Sequence, residues 1–274
     1  RVTQRDCAIH EMGRRGGLDW RLLRDLVRLF RRTAPDIVHT RNAEAFFYGT
    51  VAARLAGVPH VIHSEHGRTF DDRALRLRAQ RWLTPLADTV FAVSAQLKGD
   101  LVERVGIAAD RIEVLYNGVD LKRFDQGSRG DARTQLGLAA DAFVVGSVAR
   151  LVPVKNYPLL LQALAMPGLE RARLVLIGDG PERARRESLA AELGLTDRVL
   201  FTGHREDVGR LLPALDVFVL PSLSEGMSNT LLEAMACGVL PVVSRVGGNP
   251  EIVLDGEQGW VFESGHAEQL ARHL

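Results

Sequence analysis

The chain has 274 residues, 46% hydrophobic and 25% charged, with a formal net charge of +1. That is the composition of a soluble globular protein of one large or two ordinary domains. Its apolar runs, such as 159–166, fall far short of the ~18 residues that a membrane span needs. Cys7 and Cys237 are too few and too separated for a disulfide framework or a metal site, and fit a reduced, cytoplasmic setting. Nine arginines face only four acids in residues 1–32. This implies a local basic face and not a nucleic-acid-binding domain.

In chain order, the pattern predicts a helix over 18–33, a strand at 36–40, a helix at 43–56 and strands at 60–65 and 89–93. A helix at 94–105 and a strand at 111–116 follow. The stretch YNGVDLKRFDQGSRGD (116–131) is rich in turn residues and marks a break. Beyond it, strands are expected at 143–148, 173–178, 198–203, 216–222 and 239–244. Helices are expected from Tyr157 or Pro158 onward, at 181–193 and at 229–237. Short Val- and Ile-rich runs alternating with helical segments specify βαβ units and parallel sheets. We therefore expect an α/β protein of two doubly wound, Rossmann-like domains facing a cleft, an incomplete one over 1–122 and a second over 123–274. No secretory pattern opens the chain, which starts at Arg1 without methionine. The first domain is expected to lack its first strand and the second to lack part of its last helix.

Two glutamates, Glu225 and Glu233, flank the predicted start of a helix near Ser228. Pro221 ends the preceding strand, so Glu225 and Gly226 fall in a loop at a strand's carboxyl end. Backbone N–H groups of Ser228, Asn229 and Thr230 would then form an anion site at the positive end of the helix, and Gly226 would let a ligand approach. A phosphate flanked by hydroxyl-bearing groups fits this layout, as in a nucleotide sugar. Thr230 and Glu233 also read as a capping box, and the residues alone leave both readings open. Arg150 and Lys155, in a loop after the strand at 143–148, are a second anion signal suited to a leaving diphosphate; the competing reading is a solvated loop of unpaired charges.

Weaker signals are weighed in the same way. His60, His63 and Glu65 with His66 cannot easily converge on a metal from one strand. GDGPER (178–183) lacks the third glycine of a dinucleotide fingerprint, against hydride transfer. The helix at 18–33 carries Arg21, Arg24, Arg28, Arg31 and Arg32 on one face. That face suits either solvent or an anionic membrane surface.

SEGMSNTLLEAMACGVLPVVSRVGGNPEIV resembles the E-x7-E segment of retaining glycosyltransferases of sequence family four, which have the GT-B fold. YNGVDLKRF, GSVARLVPVKN, LVLIGDGPER and VLFTGHREDV resemble further segments of that family in the same order. HTRN…SEHGRTF and EGMSNTLLEAM are similar to sugar transferases of exosortase-associated exopolysaccharide clusters. The resemblance implies a retaining hexosyltransferase using a nucleotide diphosphate sugar, with no metal and no other cofactor. It implies that Glu225 contacts sugar hydroxyls, Glu233 binds ribose, and the backbone at Asn229 and Thr230 holds the diphosphate with Arg150 and Lys155. It implies too that His66 contacts the donor sugar, that Gly178, Gly180 and Gly203 border the nucleoside, and that Arg205 lies near the base. The expected acceptor is lipid-linked or a saccharide, handled in the cytoplasm or at the inner face of the membrane, with residues 14–32 meeting anionic lipid. A GT-B-fold epimerase and a non-catalytic nucleotide-sugar-binding fragment are the alternatives.

Overall fold

The computed structural model describes residues 7–67 and 74–274, so Arg68, Thr69 and Phe70 of SEHGRTF lie outside the described residues. The chain divides into two compact units, 1–93 with 97–115, and 94–96 with 116–274.

In the first unit, helix α1 (Trp20–Thr33) starts at Asp19, whose carboxylate accepts from the N–H groups of Arg21 and Leu22 at 3.1 Å. It ends where Ala34 turns left-handed ahead of Pro35. Strands β1 (Ile37–Arg41), β2 (His60–Glu65), β3 (Thr89–Ala92) and β4 (Ile112–Val114) form a parallel sheet in that order. Helices α2 (Asn42–Ala56) and α3 (Ala74–Leu83) intervene, and α4 (Ala95–Asp100) follows β3. The helix expected to run unbroken through 94–105 changes to a π-turn at Leu101–Val105 and stops at Gly106, which is left-handed.

The second unit opens with α5 (Arg129–Gln135). Its sheet comprises β5 (Phe143–Val148), β6 (Ala172–Ile177), β7 (Val199–Gly203), β8 (Val217–Leu220), β9 (Leu240–Ser244) and β10 (Trp260–Phe262). The connecting helices are α6 (Tyr157–Leu164), α7 (Arg183–Glu192), α8 (Val208–Leu211), α9 (Asn229–Ala236) and α10 (Asn249–Ile252), with α11 (Ala267–Arg272) last. The strand order is β10-β9-β8-β5-β6-β7, and every pairing is parallel.

Side chains of these strands alternate between two cores, as the period of two requires. Val144, Val175, Phe218, Val243 and Val261 pack on one face with Leu231 and Ala234 of α9. Val145, Leu174, Val219, Val242 and Phe262 pack on the other with Leu160 and Leu164 of α6. A sheet buried on both faces must be almost continuously apolar, which is why these strands read as unbroken runs.

Asp216, just ahead of β8, ties the unit together at the opposite end from the strands' carboxyl termini. Its carboxylate accepts from the β5 amide of Val144 at 2.7 Å and from Arg133 at 2.9 Å, and it pairs with Arg129. The Arg133 side chain is only 3% exposed. Removing one partner of such a pair leaves a buried charge uncompensated. Asp216→Ala is therefore expected to cost ~3–5 kcal/mol, measured by denaturant unfolding. A loss within experimental error of zero would mean that Arg133 finds another partner.

Candidate donor site

The second sheet grows in opposite directions from β5, towards β6 and β7 on one side and towards β8, β9 and β10 on the other. Loops leaving the carboxyl ends of β5 and β8 consequently diverge, and the crevice between them is where ligands bind in open α/β sheets. Both sequence-derived anion signals lie on these two loops.

Lys155 ends a short 3-10 turn (Pro153–Lys155) after β5, and Glu225 lies in the loop after β8. Lys155 Nζ is 2.5 Å from Glu225 Oε1, with the side chains 20% and 10% exposed. The same oxygen accepts from Ser222 Oγ at 2.6 Å. The two loops are also joined by the Leu223 N–H, which donates to the Val154 carbonyl at 2.8 Å. Lys155 is thus not a solvated, unpaired charge. Arg150 is: it is exposed and forms no ion pair among the described residues.

Helix α9 begins where Ser228 Oγ accepts from the Leu231 N–H at 3.3 Å. The N–H groups of Ser228, Asn229 and Thr230 take no partner among the described residues, and those of a first helical turn have no carbonyl four residues back. They remain donors at the positive end of the helix dipole. The capping-box alternative for Thr230 and Glu233 does not form. The cap is Ser228, which puts Leu231 at the position a box glutamate would occupy. Glu233 stands two residues further along, and its carboxylate accepts no hydrogen bond from a described residue. Burial raises its pKa above the usual glutamate range, with nearby Arg123 opposing the shift.

Close backbone contacts set the remaining loops. Gly178, at φ +142°, leaves no room for a Cβ against the Ala149 carbonyl oxygen, and a Cβ on Gly180 would lie 2.5 Å from the Leu151 oxygen. The Ala149 N–H donates to Ile177 and the Leu151 N–H to Asp179, so the backbone around Arg150 is laced to the loop after β6. Gly203 belongs to the same arrangement, accepting from the Gly178 N–H at 2.9 Å. Gly226 is buried, its carbonyl accepting from the Gly248 N–H at 2.8 Å. Arg205 is closed bidentately on Asp207, at 2.8 and 2.6 Å, which depresses the aspartate's pKa.

His66 lies in the first unit, just beyond β2. Its Nε2 accepts from Arg41 Nε at 3.0 Å and its backbone N–H donates to Asn42 Oδ1. Burial, with Arg41 adding, lowers its pKa and favours the neutral ring. Along β2, His63 is buried against the Phe46 ring at 4.2 Å while His60 is exposed.

Sequence reading missed four contributors. Ser222 is fully buried and reaches Glu225. Gly247, at φ +52°, and Gly248 press against the Glu225 and Gly226 carbonyl oxygens, where a Cβ would collide. Asn117 holds the Met227 carbonyl through Nδ2 at 3.2 Å. Only the Gly-Gly pair is a visible sequence signal, because a close backbone approach needs glycine.

Two parallel α/β units, the second with a lysine, carboxylates and an open helix N-terminus at its switch point, are the elements of the GT-B fold. The model of glycosyl transferases group 1 matches residues 128–274, and that of glycosyltransferase family 4 matches residues 1–123. The chain belongs to the group 1 glycosyl transferases. It is 34% identical over 260 residues to the UDP-Gal:alpha-D-GlcNAc-diphosphoundecaprenol alpha-1,3-galactosyltransferase of Escherichia coli, covering 89% of this chain and 67% of that protein. It is 36% identical over 218 residues to the putative glycosyltransferase EpsF of Bacillus subtilis, covering 76% and 56%. Anabaena HepE in complex with UDP and glucose superposes with a TM-score of 0.85 at 27% identity, over 92% of this chain and 70% of that one. The chain thus spans about two thirds or less of the length of these curated relatives.

The raised pKa of Glu233 gives a stability test with a definite sign. Its ionised form carries a burial cost that is present above the folded-state pKa and absent below the unfolded value of 4.5. Glu233→Gln should therefore keep or raise the melting temperature at pH 7, and the difference should vanish as pH falls below that value. A drop of ~0.5–2 kcal/mol at pH 7 would restore a capping role.

Proposed function

We propose that the chain carries the donor site of a retaining glycosyltransferase, which moves a hexosyl group from a nucleotide diphosphate sugar to a hydroxyl acceptor. The observation that carries this reading is the meeting of Lys155, Glu225 and the open N-terminus of α9 at the β5/β8 crevice, with Glu233 on the same helix. In this assignment Arg150, Lys155 and the Asn229 and Thr230 N–H groups hold the diphosphate. Glu225 accepts from a sugar hydroxyl. Glu233, with both carboxylate oxygens available, suits the paired hydroxyls of ribose. The reaction joins the acceptor oxygen to the anomeric carbon and breaks the bond from that carbon to the phosphate oxygen. The leaving phosphate takes the acceptor's proton, so no side chain is needed as a nucleophile. Gly178, Gly180 and Gly203 fit this role indirectly, by shaping the loop that carries Arg150.

A lipid-linked glycan role is supported by the relative that acts on a diphosphoundecaprenol-linked sugar. The exposed arginines of α1 suit contact with an anionic lipid surface. No helix among the described residues is long and apolar enough to cross a membrane.

The test is calorimetric titration with UDP, UDP-glucose and UDP-galactose, followed by product analysis with a diphosphoundecaprenol-linked sugar acceptor. Retention requires the product linkage to keep the donor's anomeric configuration by NMR. An epimer formed without acceptor would support the isomerase alternative instead. Arg150→Ala and Lys155→Ala should each lower turnover on the order of 10²-fold, with smaller effects on donor affinity, because the charge they meet develops as the diphosphate leaves. Near wild-type turnover in both variants would place the diphosphate elsewhere.

A further inference from the structure

We propose that Ser222 is a positioning residue: it holds Glu225 in place, so that Lys155 can leave Glu225 for the diphosphate of an arriving nucleotide sugar. This inference rests on the donor-site reading above.

Glu225 Oε1 receives two donors, Lys155 Nζ at 2.5 Å and Ser222 Oγ at 2.6 Å. Oε2 receives none from the described residues and is not sealed from solvent. The carboxylate therefore presents one oxygen to a ligand hydroxyl and is anchored through the other. The two anchors differ in kind. Lys155 is a mobile, partly exposed point charge, and a diphosphate in the crevice competes directly for it. Were Lys155 the only anchor, that competition would release Glu225 just as a sugar hydroxyl arrived to be bound.

Ser222 cannot follow the phosphate. It is fully buried directly after Pro221. Ser244 Oγ lies 2.7 Å from the Ser222 carbonyl oxygen and 3.2 Å from that of Leu220, and its single proton is shared between them, favouring the shorter. Ser244 in turn gives its carbonyl to Asn249 Nδ2 at 3.0 Å. The anchor is thus fixed across the ends of β8 and β9. A hydrogen bond to a charged group is strong enough to keep a rotamer through such an exchange.

The test measures the affinities of UDP, UDP-glucose and UDP-galactose for the wild-type chain and for Ser222→Ala and Ser222→Cys. Cysteine fills the site left by the hydroxyl, with a slightly larger atom and a much weaker donor, so it serves if the alanine variant does not fold. UDP carries the diphosphate without the sugar. Its affinity should stay within about twofold of wild type, while the advantage of the preferred UDP-sugar over UDP should shrink by about tenfold or more. An equal loss for UDP and UDP-sugar would make Ser222 merely structural and overturn the proposal, as would an unchanged advantage. Wild-type binding of UDP with no preference for a sugar nucleotide would overturn it too, while leaving the nucleotide site intact. If the wild type bound none of the three, the donor-site reading itself would fail and this inference with it.

Discussion

The second unit is organised by one constraint, the reversal in sheet growth at β5. Because β6 lies on one side of β5 and β8 on the other, the loops after β5 and β8 cannot cover each other. The gap is lined by backbone and by whatever side chains those loops carry. Here they carry a lysine and a glutamate, which neutralise each other at 2.5 Å. A partly buried pair is tolerable only when its remaining hydrogen-bonding capacity is met. Ser222 meets part of that need, and solvent or ligand meets the rest. The ion pair is therefore poised for exchange rather than locked.

Around that pair, loop geometry depends on missing side chains as much as on present ones. Gly178 and Gly180 bring one backbone segment against Ala149 and Leu151, and Gly247 and Gly248 bring another against Glu225 and Gly226. Each contact leaves no room for a Cβ. The charged residues at the crevice thus rest on interlocked main chain, which is stiffer than side-chain packing and lets short loops hold precise positions. This division of labour is consistent with a site whose chemistry is mostly electrostatic, where donors must be oriented before the charge develops.

Much of this architecture is readable from residue order. The strands at 60–65 and 143–148 have the expected limits. The edge strand β10 escaped notice because Trp260–Phe262 is only three residues long and follows a polar stretch. The helix after β3 was expected to be uniform, but its second half winds as a π-turn, and periodicity does not separate the two. Glu225 and Lys155 were picked out separately from their positions after strands, yet their contact spans seventy residues. No local pattern encodes such a contact.

The sequence by itself determined the alternation of strands and helices, the two-unit organisation and the start of α9 near Ser228. These follow from periodicity, proline and capping chemistry, which act over a few residues. Only the tertiary structure excluded the capping role of Glu233, because the cap falls on Ser228 and leaves the glutamate carboxylate without a backbone partner. It likewise decided that Lys155 is paired while Arg150 is open, that Arg205 is held by Asp207, and that a buried serine stands behind Glu225. Each of these depends on which loops the strand order brings side by side, and strand order is fixed by the packing of the whole sheet rather than by any one segment.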